Sequence, residues 1–316
     1  MKAAVLVQEG TFPKYADFPN PVPENDEQVL ITVKAAPITP FEIHKASGNH
    51  YTHYGHFPVV VGTDGVGVLE DGRLIYAVGI SGMMGEKALV RKNAWTVLPD
   101  NIDLAVAAAL PNALMGSGAA LIHRAKIEPG QTILINGATG LTGKMSVQLA
   151  RFYRAARIIA TGRNPESLAQ LKALGATDVV SINQGDAPFI QQIKEIHKQT
   201  PVDIVIDYLW GRPTEMILAA FQHTPYHIVR LVTVGQMAGA DIALPSAFLR
   251  GFPVELIGSG IGSLSGDQLA DYMKNTLPEM FKLASGGKLT VDVETIPLAE
   301  VESAWEKSGK RVVVLM

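Results

Sequence analysis

A short apolar run, Gln131-Thr132-Ile133-Leu134-Ile135-Asn136, ends in the turn Gly137-Ala138-Thr139-Gly140-Leu141-Thr142-Gly143. The segment Lys144 to Arg154 follows, with Met145, Val147, Leu149, Ala150 and Phe152 spaced for a buried helix. Strand, glycine turn and helix in that order give a G/A-x-G-x-x-G pattern its meaning. Ala138 stands where the first glycine usually does, Gly140 lets backbone approach a pyrophosphate, and Gly143 lets helix pack on strand. Backbone N–H groups at the helix start, aided by its dipole, would hold the phosphates. Glycine turns also precede helices where packing is the only demand, so the rest of the chain must decide between the two.

From Ile133 onward strands alternate with helices. The strands are Ile133–Asn136, Arg157–Thr161, Asp178–Ser181, Val202–Asp207, Ile228–Val234 and Val254–Gly258, and the helices include Gly143–Tyr153, Pro165–Leu174 closed by Gly175, Phe189–Lys198 and Glu215–Phe221. Six strands in this rhythm predict an α/β, doubly wound parallel sheet of the Rossmann type, the dinucleotide architecture. The first hundred residues read differently. Lys2–Val7, Gln28–Ala35, Val59–Leu69, Leu74–Val78 and Lys87–Arg91 are short, Val- and Ile-rich and bounded by Pro, Gly, Asn and Asp, with short helices expected at Phe41–Gly48 and Asp103–Ala109. The tail carries helices near Asp267–Ala284 and Leu298–Lys307 and strands at Val291–Thr295 and Arg311–Met316. These strands have no place in a six-stranded parallel sheet and are expected to return to the first domain. The division is therefore 1–115 with 262–316 as a mostly β domain and 116–261 as the dinucleotide domain, with a ligand cleft expected where they meet.

At 316 residues, 47% hydrophobic and 18% charged, the chain is long and apolar enough for two cores. A net charge of −3 gives no footprint for nucleic acid, and without cysteine there are neither disulfides nor thiolate metal sites. Leu104 to Ile122 is a run of nineteen uncharged residues interrupted by Pro111, Asn112, Gly116, Ser117 and Gly118, which reads as a buried helix and hinge rather than a membrane span. The expectation is a soluble, cytoplasmic protein.

Where an NAD-type domain ends its second strand in an acidic residue, this chain has Thr161-Gly162-Arg163-Asn164, with Arg163 twenty residues after Gly143. A carboxylate there would repel a 2′-phosphate, whereas a guanidinium offers it forked, charge-assisted bonds. The cofactor expected is NADPH.

With these residues in view, the chain resembles the medium-chain dehydrogenase/reductase superfamily, and within it the zinc-independent, zeta-crystallin-like quinone oxidoreductase branch. The resemblance rests on Asn136–Gly143, on Leu174-Gly175-Ala176-Thr177-Asp178-Val179-Val180, on Leu231-Val232-Thr233-Val234-Gly235 and on Gly62-Thr63-Asp64-Gly65-Val66-Gly67-Val68. It implies a GroES-like fold for the first domain and cofactor contacts from Ala138, Thr139, Gly140, Leu141, Thr142, Gly143, Thr161, Gly162, Arg163 and Asn164. It adds Leu209 and Trp210 near the nicotinamide ribose, and Val234, Gly235 and Gln236 beside the nicotinamide. Trp210 either walls the cleft or fills a hydrophobic gap, and Asp207 is expected to order the loop rather than do acid–base work.

Zinc-using members place a cysteine near Pro37–Thr39 and a histidine at Thr63, and neither side chain is here. His44, His50, His53 and His56 lie close in sequence without a metal-ligand spacing, so no metal is expected. The family's Asn-Pro-x-Asp/Glu segment reads Thr39-Pro40-Phe41-Glu42, followed by Ile43-His44-Lys45. The implied reaction is hydride transfer from NADPH to a quinone or α,β-unsaturated carbonyl, with the proton from solvent or from His44, Thr39 or Tyr54. A structural or exposed His44 is an equal reading. The alternatives are a zinc-free aldehyde or alcohol reductase and a non-catalytic NADPH-binding protein. The expected partners are a small-molecule acceptor and a second copy of the chain in a homodimer, with no nucleic acid or membrane.

Overall fold

Pairing of short β-branched segments builds the first of two units, Met1–Asn112 with Ala270–Met316. The computed structural model describes residues 1–49, 52–305, 307 and 310–316. The N-terminal part holds β1 (Lys2–Leu6), β2 (Lys14–Asp17), β3 (Gln28–Pro37), α1 (Pro40–Ala46), β4 (Val59–Val60), β5 (Asp64–Val68), β6 (Leu74–Gly79) and β7 (Lys87–Val97). Helix α2 (Leu104–Ala119) follows, with Asp103 Oδ1 accepting the Val106 N–H at 2.9 Å, and continues as a π-helical stretch to Ala125. Leu104–Ala125 is long and apolar enough to cross a membrane, but 72% of its window is buried within the protein, as in a core helix.

The second unit, Ala113–Leu269, alternates β8 (Thr132–Asn136), α3 (Leu141–Phe152), β9 (Arg157–Gly162), α4 (Pro165–Leu174), β10 (Asp178–Ser181), α5 (Asp186–Gln199), β11 (Ile204–Asp207), α6 (Gly211–Phe221), β12 (Val229–Thr233), α7 (Ser246–Gly251) and β13 (Val254–Gly258). Helix α8 (Gly266–Asp271) leads back to the first unit, which ends with α9 (Leu277–Ser285), β14 (Val293–Pro297), α10 (Val301–Ala304) and β15 (Arg311–Leu315).

In the second unit the strands form one parallel sheet in the order β10-β9-β8-β11-β12-β13. Helical crossovers cover both faces, which is why β8 and β11 are buried at every residue and carry no alternating polar pattern. Leu134, Ile159, Phe189, Val205, Phe221 and Leu231 form its main core. The doubly wound expectation is met, and the strand order reverses between β8 and β11, the switch point outside which such sheets bind ligands.

In the first unit β3 is the hub. Its first half pairs with β7, its middle with β5 and its last residues with β15, all antiparallel. With β5-β6-β7 in succession and β3 closing on β7, four strands make a barrel that β15 and β14 extend. Trp305 from the tail packs with Leu6, Ile31, Ile75 and Met83 in its core. Val59–Leu69, expected as one strand, is two. At Gly62 the chain turns with φ +100°, and a Cβ there would lie 2.8 Å from the Met84 backbone nitrogen. β4 therefore joins β1 and β2 in a separate three-stranded sheet, while β5 enters the barrel.

Candidate functional site

In the second unit the glycine turn is held from below by a polar network. Asn136 Nδ2 donates to Asp207 Oδ1 at 2.8 Å, the Thr161 hydroxyl donates to Asn136 Oδ1 at 2.7 Å, and the Gly137 N–H donates to Thr161 Oγ1 at 3.1 Å. Gly137 takes φ +85°, a conformation other residues adopt at a cost. Gly143 is needed for contact, since a Cβ there would sit 2.6 Å from Ala138 Cα and from Gly137 O. Gly140 differs: a Cβ there would meet nothing within 4 Å, and as N-cap of α3 it offers no side chain to the first-turn N–H groups. Open space before uncapped donors at a helix start is the arrangement that fits a dinucleotide's phosphates.

The ends of β9, β11 and β12 surround this turn. A Cβ on Gly162 would lie 2.4 Å from Thr139 Cγ2, so β9 ends against the turn, and Arg163 follows with its side chain exposed. Asn164 caps α4 by accepting the Ser167 N–H at 2.9 Å. After β11, Asp207 accepts from Leu209 N–H, Trp210 N–H and Asn136 at Oδ1 and from the Thr214 hydroxyl at 2.6 Å at Oδ2. Burial pushes its carboxyl above the usual carboxylate range, and these donors oppose that shift. With four donors engaged, Asp207 orders the loop. Trp210 stands at φ 55°, half-buried against the core of this unit. Val234 and Gly235 N–H groups donate to Asp207 O, which draws the β12 loop to the β11 loop and leaves Gln236 exposed. All the residues expected to hold the cofactor thus gather at the C-terminal ends of β8, β9, β11 and β12.

In the first unit, Thr39 caps α1 by accepting the Glu42 N–H at 3.2 Å and is 2% exposed. Glu42 is 1% exposed. Its Oε2 accepts the Tyr54 hydroxyl at 3.0 Å and the N–H of Gly62, freed by the break between β4 and β5, at 3.2 Å. Burial first, then the Glu42 charge, drives the Tyr54 phenol far above its ordinary pKa, so Tyr54 stays neutral and donates its proton in a hydrogen bond to Glu42. Burial likewise pushes Asp64 up to about 6, against the hydrogen bond from the Tyr76 hydroxyl at 2.6 Å. Beside this cluster lies a cavity of ≈ 570 Å³, walled by Phe18, Pro21, Tyr54, Val59, Ile80 and Lys45 among others. The Thr63 hydroxyl on its wall has no partner among the described residues.

Of the three expected proton donors only Tyr54 lines that cavity; His44 is exposed in the last turn of α1, and Thr39 lies under the helix. His53 Nδ1 sits 3.0 Å from Glu9 Oε1, His56 lines the cavity, and His50 falls outside the described residues. Among the described residues no group of three or more His, Cys, Asp or Glu side chains gathers at metal-binding distance. Nothing in the sequence marks the burial of Glu42, which depends on the Gly62 N–H freed by the β4–β5 break, or the place of Lys45 over the Tyr54 ring.

A nucleotide-type parallel sheet, joined to a barrel unit interrupted by it in sequence, defines the two-part architecture of nicotinamide-dependent oxidoreductases. Residues 142–285 match the zinc-binding dehydrogenase family model. The human quinone oxidoreductase is 29% identical over 72% of this chain and 70% of its own length; two further mammalian relatives align over 52% and 61% of theirs. An Emericella nidulans protein named "Probable NADPH-dependent quinone reductase tdiC" is 27% identical over 96% of both chains. The Thermus thermophilus quinone oxidoreductase, whose structure was also solved in complex with NADPH, superposes with a TM-score of 0.78 at 27% identity over 100% of both chains. These matches support the medium-chain dehydrogenase/reductase superfamily of oxidoreductases, and within it the quinone oxidoreductase branch, as the group this chain is similar to.

Proposed function

We propose that this chain is an NADPH-dependent, zinc-independent oxidoreductase that transfers hydride to a quinone or an α,β-unsaturated carbonyl. The observation that carries the reading is Arg163, an exposed cation at the end of β9 where NAD-type domains use a carboxylate, beside an uncapped α3. NADPH supplies the hydride when bound. The chain's own part is to hold the phosphates at Gly140–Gly143 and the 2′-phosphate at Arg163, to shape the β11 and β12 loops through Asp207, and to receive the acceptor in the apolar cavity of the first unit. There the Glu42–Tyr54 bond fixes one wall. His44 and Thr39 do not line the cavity, and the Tyr54 hydroxyl, which does, gives its proton to the hydrogen bond with Glu42 and is held neutral by burial, so the proton that follows hydride is assigned to solvent.

NADPH and NADH oxidation should be followed by absorbance against quinones, enones and saturated aldehydes, with a chelator present. Chelator-resistant, NADPH-preferring turnover on quinones or enones is expected; turnover on aldehydes alone would replace the reading with an aldehyde reductase, and tight NADPH binding without turnover with a binding role. Arg163→Asp should raise the NADPH dissociation constant on the order of tenfold to a hundredfold, the worth of one or two charge-assisted bonds, and spare NADH. Equal loss with both cofactors would remove Arg163 from the argument.

A further inference from the structure

We propose that the cavity of the first unit selects apolar molecules bearing a single carboxylate, with Lys45 as the counter-charge. The inference deepens the reading above and rests on its assignment of the acceptor to this cavity.

In a chain of net charge −3, none of the described residues lining the cavity is Asp or Glu. Its ionisable side chains besides Tyr54 are Lys45, His53 and His56. His53 is engaged with Glu9, whereas Lys45 pairs with no carboxylate among the described residues. The Lys45 ammonium rests 4.1 Å from the centre of the Tyr54 ring and 5.9 Å from that of Phe41. An aromatic shelf holds a cation in place by its quadrupole while leaving the charge to attract an anion. Glu42, on the same helix, directs its Oε2 to Tyr54 and Gly62 and lies buried beneath them.

Most of the remaining wall is apolar, with Met1, Phe18, Pro21, Val59, Val60 and Ile80 among its residues and Asn20 and Ser81 as neutral polar ones, and a volume of ≈ 570 Å³ falls within the range of small-molecule sites. One lysine is a point charge, and no arginine fork lines the cavity among the described residues, so a singly charged carboxylate balances it and a diphosphate does not.

The test is calorimetric titration of the full chain with 4-phenylbutanoate and with its neutral amide. The acid should bind about tenfold more tightly than the amide, the worth of one charge-assisted hydrogen bond, and added salt should weaken the acid alone. Lys45→Met should bring the two affinities together and Lys45→Arg should keep them apart, with circular dichroism confirming that each variant is folded. Equal affinities in the unaltered protein, no binding of either compound, or a preference that survives Lys45→Met would overturn the proposal. Because this readout needs no turnover, a carboxylate preference without NADPH oxidation would overturn the hydride-transfer reading alone, and turnover without the preference would overturn this one.

Discussion

His197, on α5, is 1% exposed among Phe221, Phe252 and His227. Its Nδ1 accepts the Val202 N–H at 3.0 Å, so the ring hydrogen is on Nε2, which has no partner among the described residues. Burial, with His227 adding to it, lowers its pKa to about 4 from an ordinary 6.5. Below pH 6.5 the unfolded chain takes up a proton that the folded chain refuses until about pH 4. Stability present above that window is therefore lost as pH falls through it, by about 3 kcal/mol from this group. Urea midpoints measured from pH 7 to 4 should show the fall, and His197→Gln should flatten it; an unchanged profile would mean the ring is not the titrating group. Nothing in the sequence near His197 announces this, because desolvation comes from rings supplied by α6 and the segment after α7. The expectation for Arg163 rests on the opposite kind of signal, its spacing from the turn, and spacing survives in one dimension. Asp207 was read as an ordering residue from its place at a strand end, though the sequence could not show its four donors.

At the level of elements, the turn and α3 separate two demands that the glycine pattern superimposes. Gly143→Ala drives a Cβ against backbone at 2.6 Å, and the turn must open, costing about 1–3 kcal/mol and weakening NADPH binding with it. Gly140→Ala meets nothing within 4 Å in the protein. It should leave the melting temperature in place and weaken NADPH binding only, where the methyl meets the phosphates. A stability loss at Gly140 equal to that at Gly143 would show that both glycines serve packing. Elements punctuated by Gly and Pro were the most readable: α4, from Pro165 to the closing Gly175, and β10 and β13 fall where the pattern put them. β2 was missed because it is four residues long, with three of them exposed, and so has no alternation to read. The β4–β5 break was missed because Gly62 bends for a contact with Met84, distant in sequence.

For the whole molecule, β13 is the outermost strand of the parallel sheet and bonds β12 on one side only, with Leu256 38% exposed. An apolar open edge invites a copy of itself across a twofold axis. Light scattering behind a sizing column should give twice the 33.8 kDa chain mass, and Leu256→Lys should shift it to one chain mass; a dimer indifferent to that change would place the contact elsewhere. The barrel has a different dependence, in time rather than space. β3 cannot complete its pairing without β15, and the half-buried Arg311 guanidinium at the start of β15 donates to Ile38 O and Asn112 Oδ1, both at 2.9 Å. On a ribosome the sheet from β8 to β13 is made in one stretch and can close while later residues are still being added. The unit that emerges first must wait for residues beyond 310 and closes last, holding the upper end of β3 open to any holdase that recognises an unpaired strand.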